Sequence, residues 1–498
     1  MHSKNIKTKS HDHCTTILVG KNASFDGSTL MARTEDAPAG CFDPKTFNVV
    51  TPEKQPKVYV SVEKKCEVKL PENPMSYTQI SSADPKRMGV WGEAGINEVN
   101  VGMSETETIS SNDLVQGADP LVDTGLGEED YLTLVLPYIK SARDGVKLLA
   151  SYLEKYGTFE MNGIGFQDEN EVWWMETIGG HHWIAKRVPD DSYAVIPNQQ
   201  GIKEMDLVDA LGEQKDHMCS KDLAEFITKN KLDLEGKEPP EKNRNFNSRL
   251  AFGSRSDFDH TYNTCRAFIM LNYFNQKDFP MDTENVQKTF ECDNLPWSYI
   301  PEHKITIQEI KNILSNVYQG TKFDPYQKHG DLNYKGKYRF IGINRTSQTA
   351  ITQIRGYVPD PIKGIQWISF GSNFFTTFIP QYARIKDTPA YLKDTDPEKV
   401  DTSTYYWSSR LIAALSDSHI DSTKAPLDHY RTAVGGKSYE FINEVDKKVA
   451  EEGYKEGLLE EQNQKMADYF QGETSKLLSK VLFAASTEMK NSFSRSDA

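Results

Sequence analysis

Residues 14–36 read CTTILVGKNASFDGSTLMARTED. Cys14 opens an apolar run, Thr16-Ile17-Leu18-Val19, and a second run returns over Thr29–Ala32 to close on Arg33-Thr34-Glu35-Asp36. Asp26-Gly27 between them is a strong turn dipeptide, because aspartate and glycine tolerate the positive φ that tight hairpin turns need. An antiparallel hairpin folds its ends back beside each other. Cys14 is therefore expected close to Arg33 and Asp36, a thiol, a guanidinium and a carboxylate gathered by local geometry.

The preceding residues 1–13, MHSKNIKTKSHDH, are polar and basic and lack the apolar core of a signal peptide. They read as a leader or propeptide, with 14–498 as one domain. Removal of the leader would give Cys14 a free α-amine. Such an amine has a reference pKa of about 7.7–8.0, so roughly a tenth to a fifth is neutral at pH 7 and able to act as a base. One residue then carries both nucleophile and base, which relieves the fold of supplying a histidine. A structural cysteine at a strand start is the alternative, since unpaired cysteines are often buried.

Cys14-Thr15-Thr16-Ile17, Asp26-Gly27-Ser28-Thr29 and Ala32-Arg33-Thr34-Glu35-Asp36 resemble the N-terminal-nucleophile cysteine dipeptidases of the dipeptidase A type. Choloylglycine hydrolases, penicillin V acylases and secernins share the pattern more loosely. The resemblance continues through Gly95-Ile96-Asn97-Glu98, Ser104-Glu105-Thr106-Glu107, Pro197-Asn198 and Tyr262-Asn263-Thr264-Cys265-Arg266, to about residue 380. It implies an α+β fold, the αββα sandwich of two antiparallel sheets with outer helices, and hydrolysis of short peptides, mainly dipeptides. It places Asn198 at the oxyanion, Ser104 or Glu105 beside the nucleophile with Glu105 as the substrate-binding candidate, and Arg266 next to Cys14. Arg249 and Arg255 compete for that last position, and a solvated acidic loop is the alternative for 104–107.

Composition narrows the class. The chain has 498 residues, 37% of them hydrophobic, and a formal charge of −14; its pI is about 5.4 and its mean hydropathy −0.62. No basic tract favours nucleic acid or an anionic membrane, and no apolar run reaches the length of a bilayer span. Six cysteines, at 14, 41, 66, 219, 265 and 292, show no paired spacing. That usage fits a reducing compartment, and a cytoplasmic location is expected.

Along the chain, apolar residues at helical spacing over 128–156, interrupted by Pro137, predict two helices. Short apolar runs from Gly163 to Ile196, separated by Gly179-Gly180 and Pro189-Asp190-Asp191, predict an antiparallel meander that ends at Pro197-Asn198. Residues 349–354 and 365–370 predict another strand pair. A helical part is expected over about 401–498, its 439–489 segment suited to packing or to forming a homo-oligomer.

No cofactor or metal is called for. His11-Asp12-His13-Cys14 lies in the expected leader, and His181 and His182, if on a strand, would point to opposite faces. The resulting expectation is a thiol hydrolase whose leader is removed, by its own Cys14 thiol or by a host peptidase, with Cys14 attacking the peptide carbonyl, Arg33 lowering the thiol pKa, and Asp36 orienting an ammonium. A choloylglycine- or penicillin-type amidase and a secernin-like regulatory protein without peptidase activity are the alternatives.

Overall fold

The computed structural model describes residues 13–38, 40–107, 109–235 and 245–489. Residues 1–12 of the expected leader and the last residues of the expected helical part, 490–498, lie outside the described residues.

In chain order the strands of the two large sheets begin with β1 (His13–Val19), β2 (Thr29–Asp36), β3 (Lys45–Val50), β4 (Tyr77–Ser82), β5 (Ala94–Asn97), β6 (Gly102–Glu107) and β7 (Asn162–Gln167). They continue with β8 (Val172–Thr177), β9 (Trp183–Arg187), β10 (Tyr193–Ile196), β11 (His217–Cys219), β12 (Ser298–Tyr299), β13 (Thr346–Ile354), β14 (Gly364–Phe370) and β15 (Ile379–Tyr382). One sheet has the order β12-β10-β1-β2-β13-β14-β15, the other β11-β9-β8-β7-β6-β5-β4-β3, and every pairing is antiparallel.

Strand alternation sorts the side chains into layers. Leu18 and Met31 point between the sheets, where they pack with Trp174 and Ile184. Ile17, Val19, Leu30 and Ala32 point outward and share a core with Phe268 and Leu271. On the second sheet Met103, Ile164 and Trp173 pack against Leu132, Leu136, Val146 and Leu149. The sheets approach so closely that a Cβ on Gly165 would stand 2.3 Å from the Met31 sulfur. Any side chain there would displace Met31.

The helices that cover these layers include α1 (Glu128–Val135), α2 (Ala142–Tyr156) and α3 (Thr264–Phe274). Pro137 falls in the short 3-10 turn between α1 and α2, where its missing N–H breaks no helical ladder. The C-terminal region is helical: α4 (Tyr405–Asp417), α5 (Ile420–Glu452) and α6 (Leu458–Thr487). Phe470 of α6 anchors it, with its ring edge-on to Tyr405 at 4.8 Å. The described residues contain no helix long and apolar enough to cross a membrane.

One local expectation is corrected. The meander over 163–196 is not one sheet: β7, β8 and β9 lie in the eight-stranded sheet, whereas β10 crosses to the other and pairs with β1. The β1–β2 connection runs over 20–28, between the two apolar runs, with Asp26-Gly27 inside it. Gly27 takes φ +84°, and the Asp26 carboxylate accepts from the Ser28 N–H at 3.1 Å.

Candidate active site

The register of the first hairpin sets the site. Cys14 faces Glu35, His13 faces Asp36, and Thr16 faces Arg33. Directly opposed residues share a face of the sheet, and alternation then puts Cys14, Arg33 and Glu35 on one side and Thr34 and Asp36 on the other. The inner side is the one that Leu18 and Met31 also occupy.

On that inner side Arg33 Nη2 donates to the Cys14 sulfur at 2.6 Å, both residues being fully buried. The guanidinium is held from behind. Its Nη1 pairs with the Glu93 carboxylate, reaches the Glu93 carbonyl at 3.3 Å, and lies 3.2 Å from Glu128. Glu93 is carried into place just before β5 by a constrained turn, in which Gly89 has φ +95° and Trp91 φ +44°. A positive φ at tryptophan is strained, and such strain gathers at functional sites. Glu128 opens α1, where the positive end of the helix dipole favours a carboxylate.

Lys45, also fully buried, is clamped in the same way by Glu35 at 2.6 Å, Asp43 at 2.8 Å and Glu93 at 3.8 Å. Glu105 on β6 has no exposed surface and no hydrogen-bond partner for either carboxylate oxygen among the described residues.

These charges set the protonation of the thiol. Burial pushes the Cys14 pKa well up, Arg33 opposes it, and Glu128, Glu93 and Glu35 add to the rise. Arg33 alone would favour thiolate, as the sequence suggested, but its charge is already compensated by carboxylates. Burial likewise raises Glu93 to about 7 against the pull of Arg33. Glu35 is raised by burial and by Glu93, and Glu105 by burial and by Glu128.

The other face of the hairpin holds a second group. Arg266, from α3, donates through Nη1 to the Cys14 carbonyl at 2.6 Å and to Thr15 Oγ1 at 2.8 Å. Through Nη2 it reaches Asn198 Oδ1 at 2.7 Å and Asn263 Oδ1 at 2.9 Å. Burial, helped by nearby Arg339, lowers Arg266 to about 10. Asp36 pairs with buried Arg339 and accepts from Thr346 Oγ1 at 2.5 Å. The Tyr262 ring lies between the two arginines, 5.0 Å from the Arg266 and 5.4 Å from the Arg339 guanidinium.

Cys14, Arg33, Asn198 and Arg266 are thus linked by contacts through the start of β1. Asp36 stands beside residue 13 on the opposite face from the thiol, and Glu105 neighbours Glu93 across the sheet, its N–H donating to the Glu93 carbonyl at 3.4 Å. Of the competing arginines, Arg249 is spent on the Gly201 and Leu295 carbonyls, and Arg255 is exposed. Sequence reasoning missed Glu35, Lys45, Glu93, Glu128 and Arg339. Period-two alternation from Arg33 was the available signal for Glu35; the others come from distant segments that only the fold brings in.

Among the described residues no group of three His, Cys, Asp or Glu is placed to hold a metal. His181 and His182 do not diverge as a strand would make them. They sit in a turn before β9, and both rings contact Asp119, at 3.0 and 2.7 Å.

Residues 13–433 match the model of peptidase family C69. The chain is 46% identical to "Dipeptidase" of Bifidobacterium longum (strain NCC 2705), over 97% of this chain and 99% of that protein. It is 49% identical to "Probable dipeptidase A" of Streptococcus pyogenes serotype M18, covering 97% and 98%, and 40% identical to "Dipeptidase A" of Lactobacillus helveticus, covering 94% and 96%. With a family match across most of its length and relatives of this identity over nearly their whole chains, the protein belongs to peptidase family C69.

Proposed function

We propose that this chain is a cysteine-dependent dipeptidase of the N-terminal-nucleophile class, acting on short peptides through an acyl-enzyme on Cys14. The observation that carries the reading is the Arg33–Cys14 contact at the first residue after the expected leader. Dipeptidase names among the relatives support the substrate class.

In this mechanism the leader is removed, and the neutral α-amine of Cys14 takes the thiol proton, a role needed because burial disfavours the thiolate. The sulfur attacks the peptide carbonyl and the S–C bond forms. The ammonium returns the proton to the leaving amine as the C–N bond breaks, and water then hydrolyses the thioester. Arg33 balances the transient thiolate. Arg266 orients Asn198 by holding its Oδ1, which turns the amide N–H side toward a developing oxyanion. Asp36, beside the 13–14 bond, positions the new α-amine. Glu105 serves substrate binding.

Turnover of a dipeptide panel, with N-acyl amides alongside, tests the reading together with intact-mass analysis. Active enzyme is expected to begin at Cys14 and to lose all turnover as Cys14→Ala, while Ala at Cys41, Cys66, Cys219, Cys265 or Cys292 leaves it active. Full activity in Cys14→Ala overturns the thiol mechanism. Full activity with residues 1–13 attached overturns the amine as base.

A further inference from the structure

Among the described residues the carboxylates around the thiol outnumber the cations. Five carboxylates, Glu35, Asp43, Glu93, Glu105 and Glu128, stand near two cations, Arg33 and Lys45, and all but Asp43 are essentially without exposed surface. A buried carboxylate is costly unless it is paired, protonated or joined by a cation. Glu105 sharpens the imbalance, because neither of its oxygens has a hydrogen-bond partner among the described residues. Its backbone N–H donates to the Glu93 carbonyl at 3.4 Å, and burial, Glu128 and Glu93 all disfavour its charge.

We infer that Glu35, Glu93 and Glu128, backed by Glu105, form the subsite for the free α-ammonium of the substrate, so that the enzyme selects peptides with an unblocked amino terminus. This rests on the peptide-hydrolysis reading above and assigns the residues that read the substrate's amino end.

Distance supports the assignment. In a dipeptide the scissile carbonyl belongs to the first residue, so the α-nitrogen is only about 2.5 Å from the attacked carbon. With sulfur about 3–3.5 Å from that carbon at attack, the ammonium must lie within about 6 Å of the sulfur. Glu35 meets this requirement by register, since it is directly opposite Cys14 and opposed Cβ atoms in a hairpin are about 4.5–5.5 Å apart. Glu93 and Glu128 meet it through the guanidinium that they share and that touches the sulfur.

Sign supports it too. An ammonium adds the missing positive charge, whereas the substrate's own carboxylate would be repelled from the same place. A dipeptide is therefore held with its amino end at these carboxylates and its own carboxylate directed away from them. A blocked amine brings no cation and leaves the carboxylates unrelieved.

The test compares kcat/KM for alanyl-alanine and its desamino analogue, propionyl-alanine, in the full-chain enzyme and in Glu35→Gln and Glu105→Gln. Substrate-free alkylation of Cys14 and thermal unfolding are measured in parallel. Wild type is expected to prefer the free amine by about 100-fold or more. That preference is expected to shrink at least about tenfold in each variant, without slower alkylation. Glu105→Gln removes no ion pair seen in the structure, so it carries the test if Glu35→Gln fails to fold.

Equal wild-type turnover of both compounds overturns the subsite while leaving a hydrolase. An unchanged preference in a folded Glu105→Gln overturns it as well. An unchanged preference with slowed alkylation assigns the carboxylates instead to the α-amine of Cys14. If wild type cleaves neither compound nor any dipeptide of the panel, the hydrolase reading falls and the subsite falls with it.

Discussion

Arg266 donates to the main-chain carbonyl of Cys14 at 2.6 Å across 252 residues of sequence, and with its other nitrogen it holds Asn198. One guanidinium therefore fixes the position of the nucleophile's backbone and the direction of the amide proposed for the oxyanion. Lysine cannot reproduce a planar fork that serves two partners at once. Arg266→Lys is expected to lower kcat by about 10²-fold or more with a smaller change in KM, the size of effect seen when one oxyanion donor is lost. A kcat near wild type would separate Arg266 from catalysis.

Arg33→Ala should be worse than the loss of one contact. It leaves Glu93 and Glu128 buried without the cation that they share. Removing one partner of a buried pair costs about 3–5 kcal/mol. Urea unfolding checks the loss. Arg33→Lys keeps the charge and should fold, yet alkylate more slowly at neutral pH because the ammonium cannot touch sulfur and both carboxylates together. Alkylation at the wild-type rate in Arg33→Lys would show that charge alone suffices.

If Asp36 only orients an ammonium, Asp36→Asn should impair catalysis more than stability. Its ion pair with buried Arg339 changes that expectation. Asparagine keeps the shape but leaves a buried guanidinium without its carboxylate, so a stability loss of roughly 3 kcal/mol should accompany the loss of turnover. A fall in turnover at unchanged stability would restore the simpler expectation.

The pH dependence of stability should carry the signature of Glu93. Its pKa rises from 4.5 to about 7 because burial outweighs its pairing with Arg33. The folded state then holds this proton more tightly than the unfolded chain. The stabilisation is complete below about pH 4.5 and is lost as pH rises through about 7. Glutamine mimics the protonated form, so Glu93→Gln should gain on wild type across that window, by roughly 3 kcal/mol at most. Melting temperatures of both proteins from pH 4.5 to 8.5 measure it, and a constant difference excludes the shift.

The first hairpin was legible because everything it needs is local. Two apolar runs and a turn dipeptide place Cys14 against the end of β2, and Arg33 touches the thiol. The same alternation puts Asp36 on the far face and Glu35 on the near one. Proximity along the strand suggested Asp36 as the thiol's neighbour; the period of two would have suggested Glu35. Glu93, Glu128 and Lys45 could not be read at all, because nothing in their own segments refers to Cys14. The crossing of β10 was hidden for a related reason: strands buried on both faces look alike in either sheet, and only the pairing decides.

The flanking of the opening hairpin by late strands also sets a timetable. β1 takes its other neighbour from Tyr193–Ile196, and β2 takes its own from Thr346–Ile354. At about 5–20 residues per second of synthesis, roughly a quarter of a minute to a minute separates the emergence of the hairpin from that of its last partner. Until then the β2 edge is open, and before Tyr193–Ile196 is made both edges are, a state that invites mispairing. The nucleophile, made before the strands that flank it, waits for them to be enclosed. Any reaction that needs its finished surroundings waits until most of the polypeptide has been made.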